Sequence, residues 1–418
     1  MAASLTRSIF RDHWKTAKEK LSAVYSEYAW ESIVEAVEKM LGCGDPSKGY
    51  AEYICPRCHK KKKVPFTCKS RFCTSCGKRY IDEWVNKTVQ TIIDVAHRHL
   101  VFTIPAVLRE VIFKDRFLLK VMMDCAAQTA LEALQSKGID AVPGIIIVVH
   151  TFGRDLKFNP HVHMLMTEGG LTSDKHWVDI PFLPYGLLRK KWQYYLLTEI
   201  KAVLVQTRET ARFIDMLFRD NRNGFYVNGA SKMTSARYAA RYIGRYLARP
   251  ALAEYKITKY DGRSVTFWYA SHETGNRVYQ SIGAIAFIKR LIDHIPVKGF
   301  KMVRHYGLYA RRTKAIAREV LSRCKRFLQM SFEFMRNRAR ALSWRERLMV
   351  SFGKDPLLCT TCKEEMLLWQ IWHPAYGVIF DLSRDAPAST AYEKEQKEKT
   401  QNTVAGPRWD GQLWLLPV

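Results

Sequence analysis

Apolar residues in the first part of the chain recur every three or four positions, as Val34, Val37 and Leu41 show. This spacing is typical of the buried face of a helix. It predicts that residues 1–42 are helical and that residues 81–99 form a further helix. A block rich in cysteine and lysine separates the two helical stretches.

Short apolar runs dominate the middle of the chain and predict strands. The predicted strands are residues 100–104, 145–149, 161–166, 265–269, 277–282 and 301–305. Segments with helical spacing of apolar residues lie between some of these strands, at residues 107–135, 186–218, 234–248 and 283–294. Because the strands do not alternate strictly with helices, this order favours an α+β fold with an antiparallel or mixed sheet over a doubly wound fold.

The charge balance points to a polyanionic partner. Lys and Arg number 67 against 40 Asp and Glu, which leaves a formal net charge of +27. Such a chain is expected to bind nucleic acid or an acidic membrane face. No apolar run reaches the roughly 18 residues that span a bilayer, and residues 1–15 lack the apolar segment of a signal peptide. A cytoplasmic nucleic-acid-binding protein, outside the membrane, is therefore expected.

Six of the ten cysteines lie within residues 43–76. Four of these six form two Cys-x-x-Cys pairs, which are Cys55 with Cys58 and Cys73 with Cys76. In a reducing compartment, paired spacing of this kind indicates metal binding and not disulfides. The two pairs together predict one tetrahedral, structural Zn²⁺ site, whose metal would supply much of the folding free energy of a small module.

The remaining cysteines leave alternatives open. Cys43 and Cys68 are either spare thiols or join His59 in a second zinc site. A further pair, Cys359 and Cys362, is either half of a zinc site or two thiols of a core.

Basic residues crowd the same block. A charge run is usually a solvated face, but on a zinc module in a chain of this net charge we expect phosphate contacts. The predicted DNA-contacting residues here are Lys61, Lys62, Lys69 and Arg71.

His161 and His163 flank Val162 in a predicted strand. Since residues two apart in a strand face the same side, both imidazoles can clamp one metal ion. With 12 His in the chain, the bare pattern is expected by chance about one time in three, so context must decide. His150 ends the preceding predicted strand, and a hairpin would bring it beside the pair. It is either a third ligand or a hydrogen-bonded strand-end histidine.

Tyr238, Tyr242 and Tyr246 recur every four residues on a predicted helix, and Arg241 and Arg245 form a parallel stripe. One interpretation is an aromatic packing stripe with a solvated arginine edge. The other is a set of phenol nucleophiles beside arginines that hold phosphate.

Taken in order, these motifs resemble those of the two-tyrosine HUH transposases of rolling-circle insertion sequences, the insertion sequence ninety-one family. Members of this family carry an N-terminal transposase zinc-binding domain. The resemblance covers about residues 1–312 and rests on ordered motifs. These are Cys68-Lys-Ser-Arg-Phe-Cys-Thr-Ser-Cys-Gly77, His99-Leu-Val-Phe-Thr-Ile-Pro105, His150-Thr-Phe-Gly-Arg-Asp155, Pro160-His-Val-His163, Tyr242-Ile-Gly-Arg-Tyr246 and Arg304-His-Tyr-Gly307.

The resemblance implies a nuclease core with a central antiparallel sheet. His161 and His163 would hold Mg²⁺ or Mn²⁺, and His150 is a candidate third ligand. Tyr242 and Tyr246 would cleave single-stranded DNA, forming a 5′-phosphotyrosine and a free 3′-OH. Tyr238 would be structural.

The resemblance also implies the partner and, together with the pattern of helical, basic and polar residues along the chain, the domain plan. The partner would be DNA, mainly the single-stranded or hairpin ends of the protein's own element, which would associate the protein with the nucleoid. The expected regions are a helical region 1–42, a zinc-binding domain 43–88, a nuclease domain 89–312, a basic helical region 313–385 and a loosely ordered tail 386–418.

Two alternatives compete with a transposase. A rolling-circle replication initiator or relaxase shares the histidine and tyrosine chemistry, but the cysteine block argues against it. A non-catalytic, zinc-dependent DNA-binding regulator explains the cysteines and the charge, but leaves the His pair and the Tyr pair as coincidences.

Overall fold

The computed structural model describes most of the chain. The described residues are 4–93, 95–180, 182–229, 232–247, 251–271, 273–313, a few positions between 343 and 353, and 355–385. They form two compact units, one of residues 1–43 and 68–354, and one that contains residues 44–67 and 355–385. Most of the predicted basic helical region 313–385 and all of the predicted tail 386–418 lie outside the described residues.

Helices and strands are numbered in chain order. The helices are α1 Leu5–Leu21, α2 Glu27–Leu41, α3 Thr74–Thr91, α4 Leu108–Lys114, α5 Leu118–Gln135, α6 Tyr185–Val203, α7 Arg208–Asp220, α8 Ala236–Leu247, α9 Ala284–Ile292 and α10 Leu382–Asp385. The strands are β1 Tyr50–Ile54, β2 Lys61–Pro65, β3 His97–Phe102, β4 Val142–Phe152, β5 Phe158–Leu171, β6 Trp177–Asp179, β7 Val227–Gly229, β8 Ile257–Tyr260, β9 Ser264–Ala270, β10 Arg277–Gly283, β11 Val303–Gly307, β12 Leu367–His373 and β13 Gly377–Asp381. No helix in the described ranges combines the length and the apolar run that a bilayer crossing requires.

A central sheet organises the first unit. Its strand order is β11-β4-β5-β3-β7, and β6 also pairs with β5. The pairings are antiparallel throughout. The predicted α+β fold with a central antiparallel sheet is confirmed.

The two faces of this sheet carry different side chains because residues alternate along a strand. Val162 and Met164 of β5 lie on one face, in the main apolar core with residues of α5 and α6. Leu165 lies on the opposite face, where Ala240 and Ile243 of α8 pack against it. The histidines of β5 share this second face, so α8 covers the side of the sheet that carries them.

The N-terminal helices share a core with a second, three-stranded sheet of order β10-β9-β8. Phe10 of α1, Phe267 of β9 and Phe287 of α9 are completely buried there. The predicted helical region 1–42 is thus helical, as two helices. The helix predicted at 81–99 instead begins at Thr74, with Cys73 in extended backbone at the N-cap position, and ends at Thr91, before β3 begins at His97.

The second unit contains a four-stranded antiparallel sheet of order β13-β12-β1-β2. Its strands come from two segments, 44–67 and 355–385, that are far apart in the chain. The sequence predicted a basic helical region ending at residue 385, whereas the described end of that region forms β12, β13 and the single turn α10. The sequence reading missed these strands because β12 pairs with β1, whose sequence is some 300 residues away.

Candidate functional site

Three histidines meet on the face of the central sheet that α8 covers. His161 and His163 alternate on β5, and His150 on β4 pairs in register with His161. One ring nitrogen from each of the three lies within 4.8 Å of the others. The hairpin therefore brings His150 beside the pair, as the strand order predicted.

A backbone contact sets the proton position on His161. Its Nδ1 lies 2.8 Å from the carbonyl oxygen of Asn159. A carbonyl only accepts hydrogen bonds, so Nδ1 carries the proton and donates it. The Nε2 of His161 then keeps a lone pair, which is the state that a metal ligand needs.

His99, on the neighbouring strand β3, contacts His163. The Nε2 of His99 lies 2.9 Å from the Nδ1 of His163, and the two rings stack with centroids 5.1 Å apart. If the Nε2 of His163 faces a cation, its Nδ1 must carry the proton and donate to His99. Sequence reasoning missed this residue. The available signal was that His97 and His99 repeat the His-x-His pattern one strand away.

Burial keeps these imidazoles uncharged. It lowers the pKa of His161, and it lowers the pKa of His163 well below the usual range, with further lowering by the neighbouring histidines. Burial, followed by the charge of His161, lowers the pKa of His99 to about 4. At neutral pH His161 and His163 thus offer lone pairs instead of positive charge, and imidazole donors of this kind fit a divalent cation.

Helix α8 brings Tyr242 to the same cluster. The Tyr242 ring meets the His99 ring edge-on, with centroids 4.9 Å apart. Close approach of α8 to α3 needs Gly244, because a Cβ there would lie 2.3 Å from a methyl group of Val85. Tyr238, one turn earlier, is 55% exposed, so it does not belong to the core. Arg241 is also exposed, while the side chains of Arg245 and Tyr246 lie outside the described part of the structure.

A first set of four cysteines lies where α2 ends and α3 begins. It consists of Cys43, Cys68, Cys73 and Cys76. The sulfur of Cys76 is 3.7 Å from that of Cys43 and 3.6 Å from that of Cys68. Four sulfurs placed tetrahedrally around Zn²⁺ at about 2.3 Å are about 3.8 Å apart, so the set has the size of a zinc site.

The remaining Cys-x-x-Cys pairs form a second set, in which Cys55 and Cys58 meet Cys359 and Cys362. This corrects the predicted zinc site, which joined Cys55 and Cys58 to Cys73 and Cys76. It also corrects the predicted second site, since neither set contains His59. The spacing within a pair indicates a metal-binding loop but not its partner, and here the partner depends on the fold.

Comparisons with known proteins identify two protein families whose models match parts of the chain. Residues 9–104 match the model of the "Transposase zinc-binding domain" family, and residues 144–316 match a family described as "Putative transposase". The chain is 28% identical over 351 residues to the transposase for insertion sequence element IS801 of Pseudomonas savastanoi pv. phaseolicola, covering 80% of this chain and 82% of that protein. The chain belongs to the insertion sequence ninety-one family of transposases.

A second relative is the protein named "Putative transposase y4qJ" of Sinorhizobium fredii. It is 22% identical over 359 residues, which is 81% of this chain and 88% of that protein. No solved structure matches the transposase. All four cysteines of the first set lie inside the matched zinc-binding domain. The transposase thus has an N-terminal zinc-binding domain whose cysteines suit structural Zn²⁺, and as a transposase it acts on DNA.

The basic residues predicted to contact DNA differ in their surroundings. Lys61 is exposed, lies over the Trp369 ring and is 3.8 Å from a carboxylate oxygen of Glu52. Lys62 donates a 2.8 Å hydrogen bond to the carbonyl oxygen of Pro356, so its ammonium group supports the fold. In the first unit of the transposase, Arg71 lies over the Tyr80 ring, and burial lowers the pKa of Lys69. Among these residues Lys61, Lys69 and Arg241 are exposed, whereas Lys62 and Arg71 are partly buried.

Proposed function

We propose that this transposase cleaves single-stranded DNA and transfers it through a covalent tyrosine–DNA intermediate, with Tyr242 and Tyr246 as the nucleophiles. One observation carries the proposal. A cluster of three histidines, of which His150 and His163 are buried and His161 is half-buried, lies with the Tyr242 ring on the same face of the central sheet, linked through His99. An aromatic packing stripe on α8 does not require potential metal ligands beside the tyrosine. A non-catalytic DNA-binding regulator does not require them either.

The histidines would hold the catalytic cation. His161 and His163 would supply two nitrogens and His150 the third, since one ring nitrogen of each lies within 4.8 Å of the others. A divalent cation bound there would withdraw charge from a phosphate oxygen and so make the phosphorus more electrophilic. Mg²⁺ and Mn²⁺ are the candidates, and an all-imidazole set favours Mn²⁺ because Mg²⁺ prefers oxygen ligands.

The tyrosine oxygen forms a bond to phosphorus as the bond from phosphorus to the 3′ oxygen breaks. The phenol loses its proton, the leaving oxygen becomes a 3′-OH, and the 5′ phosphate stays on the tyrosine. Arg241, exposed on the same helix, would hold the charge that develops on the phosphate. Since the phosphotyrosine keeps the energy of the broken bond, a 3′-OH on another strand can reverse the reaction without ATP.

The proposed substrates are the single-stranded or hairpin ends of the protein's own element, moved through a rolling-circle intermediate. The net charge of +27 supports tight phosphate binding. Two tyrosines suit a reaction that passes a strand between two attachments, because one can hold the first 5′ end while the other attacks. A replication initiator shares this chemistry, but the zinc-binding domain and both relatives favour transposition.

A gel assay tests the proposed function. A 3′-labelled oligonucleotide from the element's end is offered as a single strand, a hairpin or a duplex, with EDTA, Mg²⁺ or Mn²⁺. We expect an SDS-resistant protein–DNA adduct on the single strand and hairpin, only with a divalent ion, and at lower Mn²⁺ than Mg²⁺. Equal cleavage in EDTA, or binding of every substrate without any cleavage, would contradict the proposal.

His99→Ala is expected to raise the divalent-ion concentration needed for half-maximal cleavage about 10- to 100-fold, the usual effect of losing a residue that orients a metal ligand. The reason is that His163 loses the group 2.9 Å from its Nδ1. His99→Gln, which keeps an acceptor, should recover part of the loss. Misfolding would lower the maximal rate without moving the midpoint, so an unmoved midpoint counts against the orienting role.

A further inference from the structure

Two loops of the second unit have the same backbone hydrogen bonds. In the first, the N–H of Cys55 donates to Lys60 and the N–H of His59 donates back to Cys55, at 3.0 and 2.9 Å. In the second, the N–H of Cys359 donates to Glu364 and the N–H of Lys363 donates back to Cys359, at 2.8 and 3.1 Å. Each loop therefore closes between its first cysteine and the residues four and five positions later.

The loops also share a rare backbone conformation. His59 has a φ of 58° and Lys363 a φ of 61°, and each stands four residues after the first cysteine of its loop. Non-glycine residues adopt the left-handed region infrequently, so its recurrence at the same position indicates one motif used twice. His59 thus occupies a turn position, which Lys363 fills in the other loop, and this explains why it lies outside the cysteine set.

The four sulfurs have the spacing of a coordinated ion. Cys55 and Cys362 are 3.4 Å apart, Cys58 and Cys359 are 3.6 Å apart, and Cys58 and Cys362 are 3.7 Å apart. A disulfide would bring two sulfurs to about 2.05 Å, whereas a tetrahedral zinc site needs about 3.8 Å.

The described part of this unit has little apolar core. Its buried cluster consists of Cys55, Cys359 and Met366, with Tyr53 and Cys362 packed against it. Two of its four strands come from a segment some 300 residues away, so folding must also overcome the entropy of closing a long loop. A small module of this kind usually needs a metal or a covalent link to fold.

We infer that Cys55, Cys58, Cys359 and Cys362 bind a second structural Zn²⁺, which ties residues 44–67 to residues 355–385. Cys359 and Cys362 lie outside both family matches. The site needs both ends of the chain, so a chain that stops before residue 355 would lose half of the ligands and the strands that pair with β1. The inference does not depend on the cleavage chemistry.

Metal content tests the inference. Purified full-length protein should contain two Zn²⁺ per chain, and Cys359→Ser and Cys362→Ser should each lower this to one. Cys73→Ser should remove the other zinc, so Cys73→Ser combined with Cys359→Ser should leave none. Cys125→Ser is the matched control, because Cys125 is a buried cysteine outside both sets, and it should keep two. The inference would be overturned if Cys359→Ser still contained two zinc ions per chain. It would also be overturned if the wild type contained only one zinc ion and Cys359→Ser contained one as well.

Thiol labelling in the unmutated protein avoids the risk that a variant fails to fold. Zinc should protect Cys359 and Cys362 from N-ethylmaleimide, and a chelator should expose both, as followed by peptide mass spectrometry. Cys58, which is exposed on its loop, should show the largest increase in labelling when the chelator is added. Cys125 is protected by the apolar core, so its labelling should not respond to the chelator. The inference would be overturned if the chelator left the extent of labelling of Cys359 and Cys362 unchanged.

Discussion

Replacing His161 or His163 with alanine is expected to abolish DNA cleavage and to leave DNA binding nearly unchanged. Each substitution removes one of the three nitrogens that lie within 4.8 Å of one another. The cation then loses a ligand, and the loss should reach about 10³-fold or more, which corresponds to about 4 kcal/mol of transition-state stabilisation. Binding should persist because phosphate contacts to Lys and Arg dominate affinity.

His176→Ala provides the control for these variants. The His176 ring is exposed in the turn between β5 and β6, with 79% of the side chain accessible. The His176→Ala variant should therefore cleave DNA as the wild type does. Cleavage is followed on a labelled single strand and binding by fluorescence anisotropy. Cleavage by His161→Ala within about threefold of the wild type would refute a metal role for the cluster. Normal cleavage by His150→Ala would reduce His150 to a structural residue.

Removing both Tyr242 and Tyr246 is expected to eliminate the covalent protein–DNA adduct. Residues four apart on a helix are separated by about 6 Å along the axis and about 40° around it, so both phenols can reach one site in turn. Tyr242→Phe and Tyr246→Phe should each lower strand transfer by roughly tenfold or more, because one strand end loses its point of attachment. The double variant should form no adduct on any substrate.

Tyr238→Phe is the matched control on the same helix. Tyr238 is 55% exposed and its ring lies 6.2 Å from that of Tyr242, so the substitution changes one hydroxyl without disturbing the core. We expect near wild-type adduct and strand transfer. An adduct that survives in the double variant, or that disappears in Tyr238→Phe, would show that the nucleophiles were assigned to the wrong residues.

The features predicted from sequence were those that depend on local pattern. Strand alternation placed His161 and His163 on one face, and a short hairpin link placed His150 next to them. Helical spacing placed Tyr242 on a helix, and the structure sets that helix against the histidine face. In each case the spacing along the chain determines the geometry.

The features that could not be predicted depend on distant partners. Cys55 and Cys58 meet cysteines some 300 residues away, and no spacing rule links Cys-x-x-Cys pairs over that distance. The contact of His99 with His163 depends on the pairing of β3 with β5, which the sequence alone left open. The strands β12 and β13 were missed for the same reason, since their partners lie in the other segment.

The most direct test of the central claim is to identify the bond that joins the wild-type protein to cleaved DNA. The protein is reacted with a single-stranded oligonucleotide of the element's end and Mn²⁺, then digested and analysed by peptide mass spectrometry. The released DNA fragment is tested in parallel for extension by a polymerase. We expect a 5′ phosphate attached to Tyr242 or Tyr246 and a released fragment with an extendable 3′-OH. A 3′ phosphate linkage, attachment to any other residue, or cleavage without an adduct would contradict it.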